Sequence, residues 1–281
     1  MQSIMLNTLS LYEVFAYFFL YSFLGWVSEV AFHAVKTGKF INRGFLNGPV
    51  CPIYGVGVTC ILLMLGKGAE KAWLVFLVGI AFPTLIELIT GWALETFFHN
   101  KWWDYSACKF NFKGYICLEF SLIWGLAVLL VIEVVHPLVF WFAHLFGEVS
   151  GTVWVCLCAA AMAADLIVTV LQVLKLNRGF KELEEVSKAM KRGSDLIGKT
   201  VAGATLAVGK GVSAAKEKCG EAVLKVVAKM PKRLLKAFPS LRSRANPESV
   251  PLAQEGIKQL KKNPSYKGEL ENEAAIGKDN K

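Results

Sequence analysis

The sequence contains no GxxxxGK[ST], no GxSxG and no HExxH. The first absence excludes a P-loop ATPase, the second a serine hydrolase of the nucleophile-elbow type, and the third a zinc protease of that class. No cysteine pair has zinc-site spacing with further Cys or His beside it. The seven cysteines therefore suggest neither a structural zinc site nor a disulfide framework. Cys51, Cys60, Cys117, Cys156 and Cys158 fall in apolar sequence, where free cysteine behaves as a small hydrophobe. Cys108 falls in a loop and Cys219 in the C-terminal third. No positively charged stretch precedes the first apolar run, so a cleavable signal peptide is not expected. Lys and Arg are missing from every long apolar run.

What is present is apolar. Of 281 residues, 54% are hydrophobic, and the mean hydropathy is positive, which points to a membrane protein. Charge is unevenly spread. Residues 1–176 carry 9 Lys/Arg and 10 Asp/Glu, whereas residues 177–281 carry 22 and 12, so the basic excess lies in the tail. A basic tail behind a membrane domain is read as cytoplasmic and attracted to anionic lipid. It has no zinc-finger spacing or RNP-like motif, so nucleic acid is not expected as a partner.

Five runs are long enough to cross a bilayer of roughly 30 Å. They lie near Tyr12–Val35, Pro49–Leu65, Ala72–Phe97, Cys117–Val135 and Val153–Leu174. Asn47-Gly48-Pro49 reads as a helix start. Pro83 should kink the third helix, and residues 136–150 suggest a short interfacial helix. Lys36, Lys39 and Arg43 fill the first loop, and Lys101, Lys109 and Lys113 the third. Lys67 and Lys71 flank Glu70 in the second loop, which weakens the contrast between sides. Five crossings with the N-terminus outside put both basic loops and the tail in the cytoplasm.

A pattern recurs. Gly25-Trp26-x-x-Glu29-x-x-x-His33 returns as Gly91-Trp92-x-x-Glu95-x-x-x-His99, 66 residues on. Arg43-Gly44-Phe45 with Ile53-Tyr54-Gly55 returns as Lys113-Gly114-Tyr115 with Ile123-Trp124-Gly125, 70 residues on. A tandem duplication with a four-residue insertion explains both. Two spans per unit make the copies parallel, with a pseudo-two-fold axis along the membrane normal. The expected fold is all-α: a polytopic helical bundle of about five spans on a parallel duplication. Residues 1–176 form the membrane domain, with repeats near 12–66 and 72–135 and a fifth span near 153–174. Residues 177–281 form a tail, amphipathic to about 230 and disordered beyond.

The candidate site residues come from this pattern. The spans hold Glu29, Glu87, Glu95, Glu119, Glu133 and Asp165. Acids in hydrocarbon face a bundle interior, a water cavity or a partner. Gly25, Glu29 and His33 share a helix face, as do Glu87, Gly91, Glu95 and His99. Two Glu/His pairs could converge on a metal, but capping or snorkelling at the interface explains them more simply. Arg43 and Lys113, at equivalent places beside aromatics, are the candidate pair for an anionic ligand.

Residues 21–29, with Phe40-Ile41-Asn42-Arg43-Gly44-Phe45-Leu46-Asn47-Gly48-Pro49-x-Cys51-Pro52-Ile53-Tyr54-Gly55, resemble the bacterial CmpB family. Trp103-Asp104-Tyr105-Ser106 and Gly114-Tyr115-Ile116-Cys117-Leu118 are similar to its second block. The resemblance covers roughly residues 12–175 and leaves the tail outside. It implies an integral membrane protein of gut-type Gram-positive bacteria and their relatives, labelled an ABC-transporter type IV or ABC transporter permease. It brings no substrate, cofactor or catalytic residue with it.

The leading expectation is a permease-like subunit with a polar cavity near the cytoplasmic leaflet. Membrane lipids, a separate ATPase subunit and a homo-oligomer are its expected partners, and no cofactor is expected. The alternatives are a membrane-embedded enzyme or metal protein using Glu29, His33, Glu95 and His99, or a structural scaffold with a lipid-binding tail.

Overall fold

A computed structural model describes residues 9–66, 71–145, 147–201 and 220–262. Lys67 and Glu70 of the second loop, and the tail stretches 202–219 and 263–281, lie outside the described residues. Helices dominate: α1 (Leu11–Thr37), α2 (Pro52–Leu65), α3 (Ala72–Phe98), α4 (Leu118–Leu130), α5 (His136–Ala143) and α6 (Glu148–Val201). A helical stretch over 220–229, here α7, precedes α8 (Lys232–Ala237) and α9 (Ser249–Lys262). Two small antiparallel pairs interrupt them. β1 (Asn100–Lys101) pairs with β4 (Arg242–Ser243), and β2 (Asn111–Phe112) with β3 (Ile116–Cys117).

Among the described residues, four helical segments are long and apolar enough to cross a membrane: Leu11–Thr37, Ala72–Phe98, Leu118–Ala143 and Val149–Arg192. The second apolar run differs from expectation. It forms only the 14-residue α2, which at 1.5 Å per residue reaches about 21 Å, short of a bilayer core of roughly 30 Å. Its helix starts at Pro52 rather than at Pro49. Pro52 sits in the first turn, where its missing N–H costs nothing.

Local chemistry explains the ends of α1. Ser10 and Glu13 form a reciprocal capping box, with Glu13 N donating to Ser10 Oγ (3.2 Å) and Ser10 N to Glu13 Oε2 (2.7 Å). Gly38, at φ 66°, closes the helix by donating to Ala34 O. The expected interfacial helix after His136 is instead continuous with α4, through a π turn at Val131–Val135. That turn lets His136 N donate to Val131 O, just before Pro137, which has no N–H to give.

The chain divides into two compact units. The first holds the described residues through Phe97, Trp102–Val170 and Ala237–Ser240. Its core includes Tyr17, Phe19, Ile61, Val75 and Ile132. Buried Tyr21 and His136 share a hydrogen bond of 2.8 Å in the same unit. Large apolar side chains such as Phe32, Leu63 and Leu126 are exposed on its helices, as a lipid-facing surface requires.

The second unit holds Phe98–Lys101, Leu171–Lys236 and Leu241 onward. Residues 232–262, read from sequence as polar and unstructured, carry α8, β4 and α9. Val250, Ala253, Gly256, Ile257 and Leu260 of α9 are buried. Their spacing makes one helix face. Phe180 and Leu183 of α6 are fully buried in the same unit, and Ser249 Oγ donates to Phe180 O at 2.7 Å. The polar face of α9, with Lys258, Lys261 and Lys262, is what masked this pattern in the sequence.

Glu248 accepts from Ser187 Oγ at 2.9 Å and from Lys191 Nζ. These bonds hold its carboxyl below its usual value of 4.5. A depressed carboxylate contributes stability above its unfolded pKa and loses it as pH falls through the folded one. The local protection that Glu248→Gln removes from α9 should therefore be largest at neutral pH. It should vanish in acid, below the usual 4.5. Hydrogen exchange of residues 249–253 against pH checks this; a difference independent of pH would refute it.

Candidate functional site

The first unit holds a half-open cavity of about 900 Å³. Its wall comes from α1 to α4, the loops after α1 and α3, Met162 and Leu166 of α6, and Phe238 and Ser240. Most of the wall is apolar, whereas the sequence suggested a polar cavity. Its polar groups are few, chiefly Glu29, Tyr54, Glu87, Tyr105 and Arg43.

Two glutamates are tied together through aromatic donors. The Tyr54 ring lies against Gly25, where an added Cβ would sit 2.3 Å from Tyr54 Cγ. From there the phenol donates to Glu29 Oε1 at 2.5 Å. Tyr54 also meets Trp124 edge-on, with centroids 5.6 Å apart. Trp124 Nε1 donates to Glu87 Oε2 at 3.4 Å, and Tyr105 O–H to Glu87 Oε1 at 2.9 Å. Tyr105 is held by stacking on Phe120, 4.7 Å away. The chain Glu29–Tyr54–Trp124–Glu87–Tyr105 thus joins four helices and a loop. Each of its members lines the cavity.

The neighbouring loop groups keep their protons. Burial, then the Glu87 charge and hydrogen bond, raise the Tyr105 phenol above its usual range. Burial and then Glu29 push the Cys51 thiol up to about 12, against a smaller lowering by Arg43. Tyr105 is therefore a donor at neutral pH, and Cys51 is a poor nucleophile there. Glutamates with spare lone pairs in an apolar wall can accept donors from a bound molecule.

The other sequence candidates go elsewhere. Glu95, the counterpart of Glu29 in the pattern, accepts from Tyr115 O–H at 2.6 Å but is not part of the wall. Tyr115 and Trp103 cover Gly91, much as Tyr54 covers Gly25. His33 takes the Thr37 hydroxyl on its backbone oxygen. His99, at φ 57°, belongs to the second unit, where its carbonyl accepts from Arg244 N. Glu119 and Glu133 are exposed. Among the described residues no three His, Cys, Asp or Glu side chains converge on a metal position. Tyrosine hydroxyls meet both carboxylates of the repeated pattern, Tyr54 at Glu29 and Tyr115 at Glu95.

Asp165 is a clamp. Its carboxylate accepts from Asn47 N (3.1 Å), Asn47 Nδ2 (2.8 Å) and Gly48 N (2.7 Å). Asn42 braces the same loop, accepting from Trp26 Nε1 (2.8 Å) and Gly44 N (2.9 Å) and donating to Asn47 O (2.7 Å). Arg43 is thereby fixed into the cavity wall. Lys113, its expected pair, lies on the β2–β3 hairpin over Phe112 and is not one of the wall residues.

The sequence reading missed Tyr54, Tyr105 and Trp124 as members of the site. A signal for two of them was present: Tyr54 and Trp124 are the middle residues of the repeated Ile-aromatic-Gly. They are also the two rings in contact.

The family described as "Putative ABC-transporter type IV" (ABC_trans_CmpB) matches residues 16–170. The chain belongs to the CmpB family. The match ends where the main run of the first unit ends, so the CmpB region contains most of the cavity wall. No curated protein and no solved structure matches the chain. CmpB membership and the apolar helices make this a multi-pass membrane protein related to transporters, for which an ATPase is a possible partner.

Proposed function

We propose that the chain is the membrane-embedded, permease-like subunit of a transporter driven by a separate ATPase. The observation that carries this reading is the cavity of about 900 Å³ inside the CmpB region, with Glu29 and Glu87 in an otherwise apolar wall. A wall of this kind suits a transported molecule with apolar bulk and a few polar groups. Energy must come from elsewhere, since the sequence holds no nucleotide-binding loop.

The parallel duplication gains support from packing. Gly55 of α2 meets α1 at Ser22 and Phe18, and its counterpart Gly125 of α4 meets α3 at Phe76 and Ile80. Each half is then a helix pair joined at one glycine. In this reading Glu87 takes the cavity position that the pattern gave to Glu95. The N-terminus lies outside, the C-terminus in the cytoplasm, and α2 is a short fifth crossing. The cavity opens toward the cytoplasmic leaflet of a bacterial membrane, with Lys36, Lys39 and Arg43 nearby. So few crossings make a second copy of the chain necessary for a complete pathway. The basic tail lies along anionic lipid.

An affinity-tagged chain isolated from its own membranes should bring down an ATPase subunit in fixed proportion. Glu87→Ala should leave that assembly intact and lower its ATP hydrolysis about tenfold, the effect of losing roughly 1.4 kcal/mol. If no nucleotide-hydrolysing partner accompanies the chain, the permease reading fails.

A further inference from the structure

One end of the cavity is built from loops. Arg43 and Phe45 come from the segment between α1 and α2, and Trp102 from the segment after α3. A third piece arrives from far along the chain. Ala237–Ser240 belongs to the first unit, although Lys236 before it and Leu241 after it belong to the second. The segment lies well outside residues 16–170 matched by the family.

Its contacts show what this end of the cavity holds. The Arg43 guanidinium donates to Ala237 O. The same guanidinium stands 5.7 Å from the centre of the Phe238 ring. Trp102 meets Phe238 edge-on with centroids 4.9 Å apart, and Phe45 meets Trp102 likewise at 5.1 Å. An oxygen acceptor and an apolar group are thus bound side by side. Trp102 is 2% exposed, and its Nε1 has no hydrogen-bond partner among the described residues. A buried indole N–H is costly to leave unpaired. Arg43 and Trp102 Nε1 supply two donors beside an apolar wall, one of them cationic.

We propose that this end is a binding site for an amphipathic anion, a carboxylate or phosphate head on a single hydrocarbon chain, and that Ala237–Ser240 is its built-in competitor. The head sits on Arg43 and Trp102 Nε1, where the Ala237 carbonyl now reaches. The chain follows the apolar wall past Gly57, beginning where Phe238 lies. The inference rests on the reading of the cavity as a substrate site and adds the class of molecule and its regulation. An occupant covalently attached to the protein lowers apparent affinity by the fraction of time it fills the site.

The test uses the full chain in nanodiscs and quenching of tryptophan fluorescence by three brominated probes. These are bromododecanoate, bromododecyl phosphate and bromododecyl trimethylammonium. Both anions should bind and the ammonium should not; the stronger anion identifies the head. Phe238→Ala should tighten anion binding by about tenfold as the competitor is removed. Arg43→Gln should weaken it by about tenfold, with Arg43→Lys between. Gly57→Trp, which fills the cavity body, should weaken the 12-carbon probes while sparing six-carbon ones. If Gly57→Trp weakens binding but Arg43→Gln and Phe238→Ala leave it unchanged, the cavity remains and the loop-built site falls. If the ammonium binds as well as the anions and no substitution matters, the probes only partition into lipid and both readings fall. A Cys51 modification rate that rises in Phe238→Ala while that of Cys117 stays constant would report release of the segment without any ligand. An unchanged Cys51 rate would overturn the competitor role.

Discussion

Gly55→Ala should strip the chain of much of its folded yield, whereas Gly57→Ala, two residues away, should be close to neutral. A Cβ at Gly55 would lie 2.2 Å from Ser22 Oγ and 2.4 Å from Phe18 O. The second contact is backbone, and it already accepts the Ser22 hydroxyl at 2.7 Å. The Ser22 hydroxyl can change rotamer but the Phe18 carbonyl cannot turn aside, so α1 and α2 must separate. Small residues are what allow membrane helices to approach this closely. Overpacking a tight core costs about 1–3 kcal/mol, and rigid backbone at the contact places this change at the upper end. At Gly57 the nearest atom to an added Cβ is Ile86 Cδ1, 4.0 Å away, an ordinary contact. Thermal unfolding in detergent, followed as the monodisperse fraction, separates the two variants. The damage should reach the cavity as well, because Tyr54 precedes Gly55 and would be drawn from Glu29. Equal loss in both variants would mean that the α1–α2 approach is not the constraint.

The second large effect is at Asp165. Its removal leaves Asn47 N and Gly48 N without the acceptor they share, while Asn47 Nδ2 keeps only Thr169 Oγ1. Hydrogen bonds to a charged group contribute about 1.5–3 kcal/mol each when buried. Asp165 is only partly buried, so Asp165→Ala should cost about 2 kcal/mol in total rather than the sum. Asp165→Asn should fall between, since an amide keeps one acceptor oxygen but turns donors toward donors. Trypsin offers a local readout, because Lys39 and Arg43 lie in the clamped segment. Cleavage after Arg43 should be slow in the native chain and fast in Asp165→Ala. Unchanged cleavage would mean that Asn42 alone secures the loop.

Both positions bear on what a sequence can reveal. Helix content, the apolar segments and the family were legible because hydropathy and motif are local properties. The length of α2 was less so. Apolar sequence runs on from Pro49, but Cys51-Pro52 sets the start, and Gly66 ends the helix. Asp165 was visible as an acid in an apolar helix, yet its partners lie 117 and 118 residues away, and no spacing rule connects them. Glu29 and Glu95 looked equivalent, and each does meet a tyrosine. Glu87 and Glu95 share a face of α3, so which of them enters the cavity depends on height along the helix, and there Glu87 is the buried one. The Phe238 contact was illegible for a different reason. A short polar stretch between two helices carries no periodicity, and only the fold brings it to Arg43.

The π turn at Val131–Val135 leaves the buried face of its helix continuous. On one wheel begun at Leu118, with about 100° per residue, Ser121, Gly125, Val128, Ile132, His136, Val139 and Ala143 share one arc of roughly 80°. Leu126, Leu130, Leu138 and Trp141 stand on the opposite, exposed side. The helix therefore offers a single seam to its neighbours from Leu118 to Ala143, and a substitution on either side of Pro137 can be placed on the same wheel.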